Sequence, residues 1–290
     1  MIEKYYNGVI EQVAGGIGNV EHNSILVRYS NDFSIWDLES VNHYKDQTDI
    51  FFTCHEFSYN KIAEAYEPYL GLIRQMFHKY CSGTLEEFME ECDVYKLQRP
   101  VFESYFEKGF CERTEQILID EVEYEQERMR NSIVTMLQKL SEIRPVVIVL
   151  NRFQLASKST MQLSNSLLQV KNKNIGIVLG VNDVQSIPEF AHEEWDAICE
   201  SMDDRNMVYH IGNAGRNMEP DVMDYYSDYE SDDGYRKLNN LVYFLDFDQA
   251  DHHLSKIERR IKFDNFTISE KKHYQLLLLQ IMVSVLQRDI

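Results

Sequence analysis

Five short apolar runs, rich in β-branched and aromatic residues, recur along the chain and are separated by amphipathic stretches. These runs cover residues 24–29, 49–54, 146–150, 175–181 and 207–211. The runs at 146–150 and 175–181 are apolar without alternation, which is typical of central strands in a parallel sheet covered by helices on both faces. Strands that alternate with helices imply right-handed βαβ crossovers. The pattern therefore predicts an α/β fold, a three-layer sandwich around a mostly parallel sheet of about five strands.

Helical periodicity accounts for most of the remaining sequence. Apolar positions three and four residues apart predict helices at 1–13, 34–45, 157–170 and 189–204, and a mostly helical region at 62–143. Thr84 and Glu87 have the spacing of a capping box, and Pro68 suits the first turn of a helix. Ser157 or Ser159 can cap the helix that follows the third strand.

The C-terminal part has a different pattern. Leu241 to Phe247 is a sixth apolar segment, which we interpret as a strand leading into helices at 248–262 and 268–288. We therefore divide the chain into an α/β domain at 1–235 and a helical, lid-like extension at 236–290. Residues 219–233 carry seven carboxylates and three tyrosines. Two interpretations stay open for them, a solvated insertion and a segment that docks on a basic partner.

Charge and composition exclude several classes of protein. The net charge of −19 repels nucleic acid, so no nucleic-acid partner is expected. The five cysteines form no C-x-x-C pair, which argues against a disulfide framework and a structural zinc site, and we predict no metal ligands. No apolar run approaches the roughly 20 residues of a membrane span, and no secretory leader is visible. We expect a cytoplasmic protein that does not enter membranes.

One stretch resembles a known family. Val147 to Leu150, then Asn151, Arg152 and the loop Phe-Gln-Leu-Ala-Ser ending at Ser157, follow the order of a Walker B region. This order resembles the nucleotide-binding domain of STAND-type ATPases, the AAA-like modules of MalT-like regulators and other bacterial multidomain signalling proteins. The resemblance implies a P-loop-NTPase-like sandwich with ATP and Mg²⁺ as ligands, and it places Asn182 at the end of the sensor strand. Glu56 lies just after the second predicted strand, where some NTPases place a water-activating acid.

The residues that bind the triphosphate in that family are missing from this sequence. A Walker A loop needs glycines, a lysine and a hydroxyl after the first strand. The loop here carries Ser30, Asn31 and Ser34 at the degenerate phosphate-loop position, without glycine or lysine. Asn151 replaces the carboxylate that supports Mg²⁺.

Two functional hypotheses follow. The first is a pseudo-ATPase without cofactor, a regulatory or interaction module of bacterial signal transduction whose partner is another protein or further domains of the same polypeptide. The alternative is a divergent ATPase that binds ATP and Mg²⁺ on a non-standard phosphate loop, with Glu56, Asn151 and Asn182 as catalytic candidates.

Overall fold

The strands form one five-stranded sheet in which every neighbouring pair is parallel. They are β1 (Ser24–Tyr29), β2 (Phe51–Glu56), β3 (Val146–Asn151), β4 (Ile175–Asn182) and β5 (Val208–Ile211). Their spatial order is β2-β3-β4-β1-β5. The predicted α/β class, the parallel sheet and the number of strands are confirmed.

The computed structural model describes most of the chain up to residue 250. The described residues are 2–18, 23–30, 34–45, 49–58, 63–111, 122–170, 172–183, 187, 191–203, 207–211, 237, 240–250 and 253. The acidic stretch at 219–233 and the predicted helix at 268–288 lie outside these residues, as does Asn31.

Eight α-helices connect or flank the strands in the described part of the chain. They are α1 (Ile2–Gly15), α2 (Glu39–Lys45), α3 (Tyr69–Tyr80), α4 (Leu85–Glu91), α5 (Arg99–Lys108), α6 (Val122–Ile143), α7 (Lys158–Gln169) and α8 (His192–Asp203). Short 3₁₀ turns occur at Ile35–Asp37 and Phe153–Leu155. The capping box at Thr84 is confirmed, and Ser157 is the residue that caps α7.

Successive residues of a strand point to opposite faces of the sheet. Apolar side chains therefore lie on both faces, and helices pack against each of them. In β3, Val147 and Val149 face a core shared with α1 and α2. Ile148 and Leu150 face a second, larger core that includes side chains of α3, α6, α7 and α8. Six fully buried residues in a row therefore serve two cores at once.

Two glycines of β4 allow α1 to lie close to the sheet. A Cβ atom at Gly176 would stand 2.7 Å from Cγ1 of Val13, and one at Gly180 would clash with the hydroxyl of Tyr6. Side chains at these positions would push the helix away. The close approach therefore explains why two glycines interrupt an otherwise bulky strand.

Two boundaries differ from the prediction. Strand β2 begins and ends two residues later than expected, because its polar second half, Cys-His-Glu, continues the pairing with β3. The segment 241–247 is not a strand. Residues 240–243 and 247–250 are helical, and Leu245 between them has a φ of 63°. The apolar side chains of this segment pack into the larger core.

The sheet has a topological switch point at the boundary between β1 and β4. Helix α2, which follows β1, packs on one face, whereas α8, which follows β4, packs on the other. Open α/β sheets bind ligands outside the carboxyl ends of the strands at such a point. The carboxyl edge of the sheet is therefore the expected location of a ligand site.

Among the described residues, no helix combines the length and apolar character that a membrane span requires.

Candidate functional site

Four of the predicted residues lie at the carboxyl edge of the sheet. Glu56 of β2 is paired in register with Asn151 of β3, and Asn182 ends β4 opposite Tyr29 of β1. Ser30 follows Tyr29 directly and is half-buried. The parallel register thus brings the candidates of four strands to one edge.

Glu56 is the centre of a polar network at this edge. Its side chain is only 10% exposed. Oε2 accepts hydrogen bonds from the hydroxyl of Ser34, at 3.2 Å, and from the backbone N–H of Ile35, at 3.3 Å. Oε1 lies 3.3 Å from Nη1 of Arg152. The hydroxyl of Ser34 and the N–H of Ile35, which lie between β1 and α2, therefore donate to a carboxylate of the protein itself.

Arg152 reaches Glu56 from an unusual backbone conformation. Its φ of 53° and ψ of 41° lie in the left-handed region, which costs a non-glycine residue roughly 1–2 kcal/mol. Strain of this kind persists only where surrounding contacts hold it. The ion pair with Glu56 is one such contact.

Asn151 is fully buried and is bound by a residue two strands away. Its Oδ1 accepts a hydrogen bond of 2.7 Å from the hydroxyl of Tyr29, which spans β4 beside Gly180. Its Nδ2 is buried without a hydrogen-bond partner among the described residues. Tyr6 packs edge-on against Tyr29, with ring centroids 6.4 Å apart. Burial, with smaller contributions from Tyr29 and Glu56, raises the pKa of Tyr6.

Asn182 and Asp183 also have partners within the protein. The backbone N–H of Asn182 donates to Oε1 of Gln154 at 3.3 Å, and both residues are buried. Oδ1 of Asp183 accepts from Nε of Arg28 at 2.7 Å, with each side chain about one-third exposed. The second carboxylate near the edge is therefore engaged by an arginine, as the first one is.

These residues do not fit ATP with Mg²⁺. The carboxylate expected at position 151 is an amide, Glu56 is paired with Arg152, and Glu56 also accepts the N–H of Ile35. Among the described residues, no three or more His, Cys, Asp or Glu side chains are grouped as a metal site requires.

A set of contacts that the sequence analysis missed holds the start of α7. Asp246 accepts from the N–H of Ser159 at 3.0 Å, and Gln249 accepts from the N–H of Lys158 at 3.0 Å. Nζ of Lys158 lies 2.8 Å from Asp248. Burial raises the pKa of Asp246, although the hydrogen bonds from Ser159 act in the opposite direction. A local sequence pattern cannot predict these contacts, because 87 or more residues separate the partners.

Cys54 and His55 do not form a nucleophilic pair. They border a small cavity of about 240 Å³ between β2 and α3. Burial raises the pKa of Cys54 to about 11, so the thiol stays protonated at neutral pH. His55 instead faces Glu67, with 3.5 Å between Nε2 and Oε1.

Comparison with known protein families, curated proteins and solved structures gives no match for this chain.

Proposed function

We propose that the chain is a non-catalytic, pseudo-ATPase-like module of bacterial signal transduction, which acts through contacts with a protein partner or with further domains of the same polypeptide. The environment of Glu56 carries the proposal. In a phosphate loop, backbone N–H groups hold the anion. Here Glu56 accepts the N–H of Ile35 and the hydroxyl of Ser34, and Arg152 balances its charge.

The buried amide of Asn151 supports the same proposal. Phosphoryl transfer depends on positioned cations and carboxylates that stabilise charge in the transition state. Asn151 supplies no charge, and its oxygen is already bound to Tyr29. The parallel sheet and its switch point are compatible with a site at the carboxyl edge. There Glu56 and the oxygen of Asn151 already have partners within the protein.

Nucleotide titration tests the proposal. A ligand that binds the folded state stabilises it by RT ln(1 + [L]/Kd), about 2.7 kcal/mol at 100 Kd. We expect the melting temperature to stay constant in millimolar Mg·ATP and Mg·ADP. Saturable stabilisation that disappears in Arg152→Ala but persists in Glu39→Gln, an exposed carboxylate at the start of α2, would overturn the proposal in favour of the divergent ATPase.

The contact part of the proposal has its own test. A partner captured with the chain should be recovered equally in EDTA and in Mg·ATP, because contact does not depend on nucleotide. Recovery that requires Mg·ATP would contradict a nucleotide-independent module.

A further inference from the structure

A groove of about 540 Å³ lies between α6, α7 and α8, apart from the polar network around Glu56. Its volume falls in the range of small-ligand sites, roughly 300–1,000 Å³. Its walls are mainly polar and include Gln126, Arg130, Lys158, Gln162, Asn165 and Glu194. A groove of this composition suits a polar, charged ligand rather than an apolar one.

Glu194 supplies a buried negative charge on the α8 wall. Its side chain is 10% exposed. Oε1 accepts from Nε2 of Gln162 at 2.9 Å and lies 3.6 Å from Nζ of Lys158. Oε2 is buried and has no hydrogen-bond partner within the described part of the chain.

Asn165 adds a second acceptor to the groove. Its Oδ1 is also buried without a partner among the residues that the structure describes. Most buried polar atoms in folded proteins are hydrogen-bonded, and exceptions call for an explanation. Two unmatched acceptors in one groove suit a ligand with several N–H donors, such as an ammonium group.

Arg130 supplies the opposite charge from the α6 wall. Its guanidinium has five N–H donors, of which one makes a long contact of 3.4 Å with Oε1 of Gln162. In the described ranges, no carboxylate lies within 4.0 Å of it. Guanidinium groups bind carboxylates through two parallel hydrogen bonds.

The amide of Gln162 sets the spacing between these charges. Its oxygen faces Arg130 and its nitrogen faces Glu194, so a single amide group separates the positive wall from the negative one. A ligand that satisfies both walls must carry a carboxylate and an ammonium group close together.

We propose that this groove binds a free α-amino acid, with its carboxylate on Arg130 and its ammonium group on Glu194 and Asn165. The site goes beyond the proposed function and does not depend on it, because none of these residues belongs to the network of Glu56. Each of the ligand's two charges meets a charge of opposite sign on the protein.

Titration of the purified chain with each of the twenty standard α-amino acids tests the proposal. We expect at least one of them to raise the melting temperature saturably at millimolar concentration. Its N-acetyl derivative, which lacks the ammonium group, and its amide, which lacks the carboxylate, should each bind at least about tenfold more weakly. Absence of stabilisation by all twenty would overturn the proposal, as would equal binding of both derivatives.

Variants locate the site. Arg130→Gln and Glu194→Gln should each weaken binding at least about tenfold. Arg128→Gln on α6 and Glu200→Gln on α8 make the same charge changes outside the groove and should leave the affinity unchanged. Binding that survives both groove variants would refute the assignment. If either variant fails to fold, the binding of the N-acetyl and amide derivatives to the unaltered chain still tests the proposal.

Discussion

The hydroxyl of Tyr29 on β1 donates a hydrogen bond of 2.7 Å to Oδ1 of Asn151 on β3, and β4 lies between the two strands. The bond can span the middle strand because Gly180 has no side chain there. A Cβ atom at that position would stand 2.7 Å from the same oxygen. The central glycine, the tyrosine and the asparagine therefore form one structural unit at the carboxyl edge.

Replacing Tyr29 with Phe should destabilise the protein by about 1–3 kcal/mol. The substitution leaves the buried side-chain oxygen of Asn151 without its donor, and an unsatisfied buried group costs roughly that much. Urea denaturation measures the loss. Tyr5→Phe, at a position 60% exposed, should change stability by less than about 0.5 kcal/mol. Equal effects of the two variants would show that the bond to Asn151 contributes nothing.

Replacing Gly180 with Ala should destabilise the protein by roughly 1–3 kcal/mol, because the added methyl group overpacks the contact with Tyr6 and Asn151. Tyr6→Phe in the same background should recover part of the loss, since it removes the nearest oxygen. Gly8→Ala is the matched control. Gly8 lies in α1 with open space around its Cα, so alanine should stabilise the helix by up to about 1 kcal/mol. A stable Gly180→Ala protein would contradict the close packing of α1 on β4.

The buried carboxyl of Asp246 gives a prediction about pH. Burial raises its pKa in the folded state above the unfolded value of about 3.9. The folded state therefore holds the proton more tightly, and stability falls as the pH rises from about 4 through the folded pKa. Asp246→Asn keeps an acceptor for the N–H of Ser159 but does not titrate. The variant should therefore gain stability relative to the natural chain as the pH rises.

Urea denaturation of both proteins at several pH values measures this difference. It should level off above the folded pKa of Asp246. Asp203→Asn, at an exposed position on α8, should give no comparable rise. A difference that grows as the pH falls would show that the pKa of Asp246 is lowered instead.

The capping box of α4 provides a test of local structure. Thr84 accepts from the N–H of Glu87 at 3.2 Å, and Glu87 accepts from the N–H of Thr84 at 2.9 Å. Thr84→Ala should cost about 1 kcal/mol, whereas Thr84→Ser keeps the hydroxyl and should cost much less. Thermal or urea unfolding distinguishes the two. Identical losses would mean that the hydroxyl does not act as a cap.

The sequence was most informative where one local rule dominates. Continuous apolar runs identified β3 and β4 because central parallel strands are buried on both faces. The same rule wrongly predicted a strand at 241–247. A short buried helical turn is as apolar as a strand, and it is too short for its helical periodicity to be recognised. The end of β2 was misplaced because polar residues continue the ladder at the edge of the sheet.

The candidate site could be predicted in its position but not in its pairing. Glu56, Asn151 and Asn182 each end a strand, so parallel register brings them to one edge. Their partners depend on tertiary structure. The left-handed backbone of Arg152 and the approach of Tyr29 across β4 leave no local pattern. The contacts of Asp246 and Gln249 with the start of α7 join positions 87 and 91 residues apart, which no window of sequence can reveal.

The packing of α1 against Gly176 and Gly180 has a consequence for biosynthesis. The ribosome makes α1 before β4, and the docking surface on β4 is complete only some 165 residues later, on the order of ten seconds at typical elongation rates. During that interval α1 lacks the glycine-lined surface of β4 against which it packs in the folded protein. Docking of α1 on the sheet is therefore a late step, although the helix itself is made early.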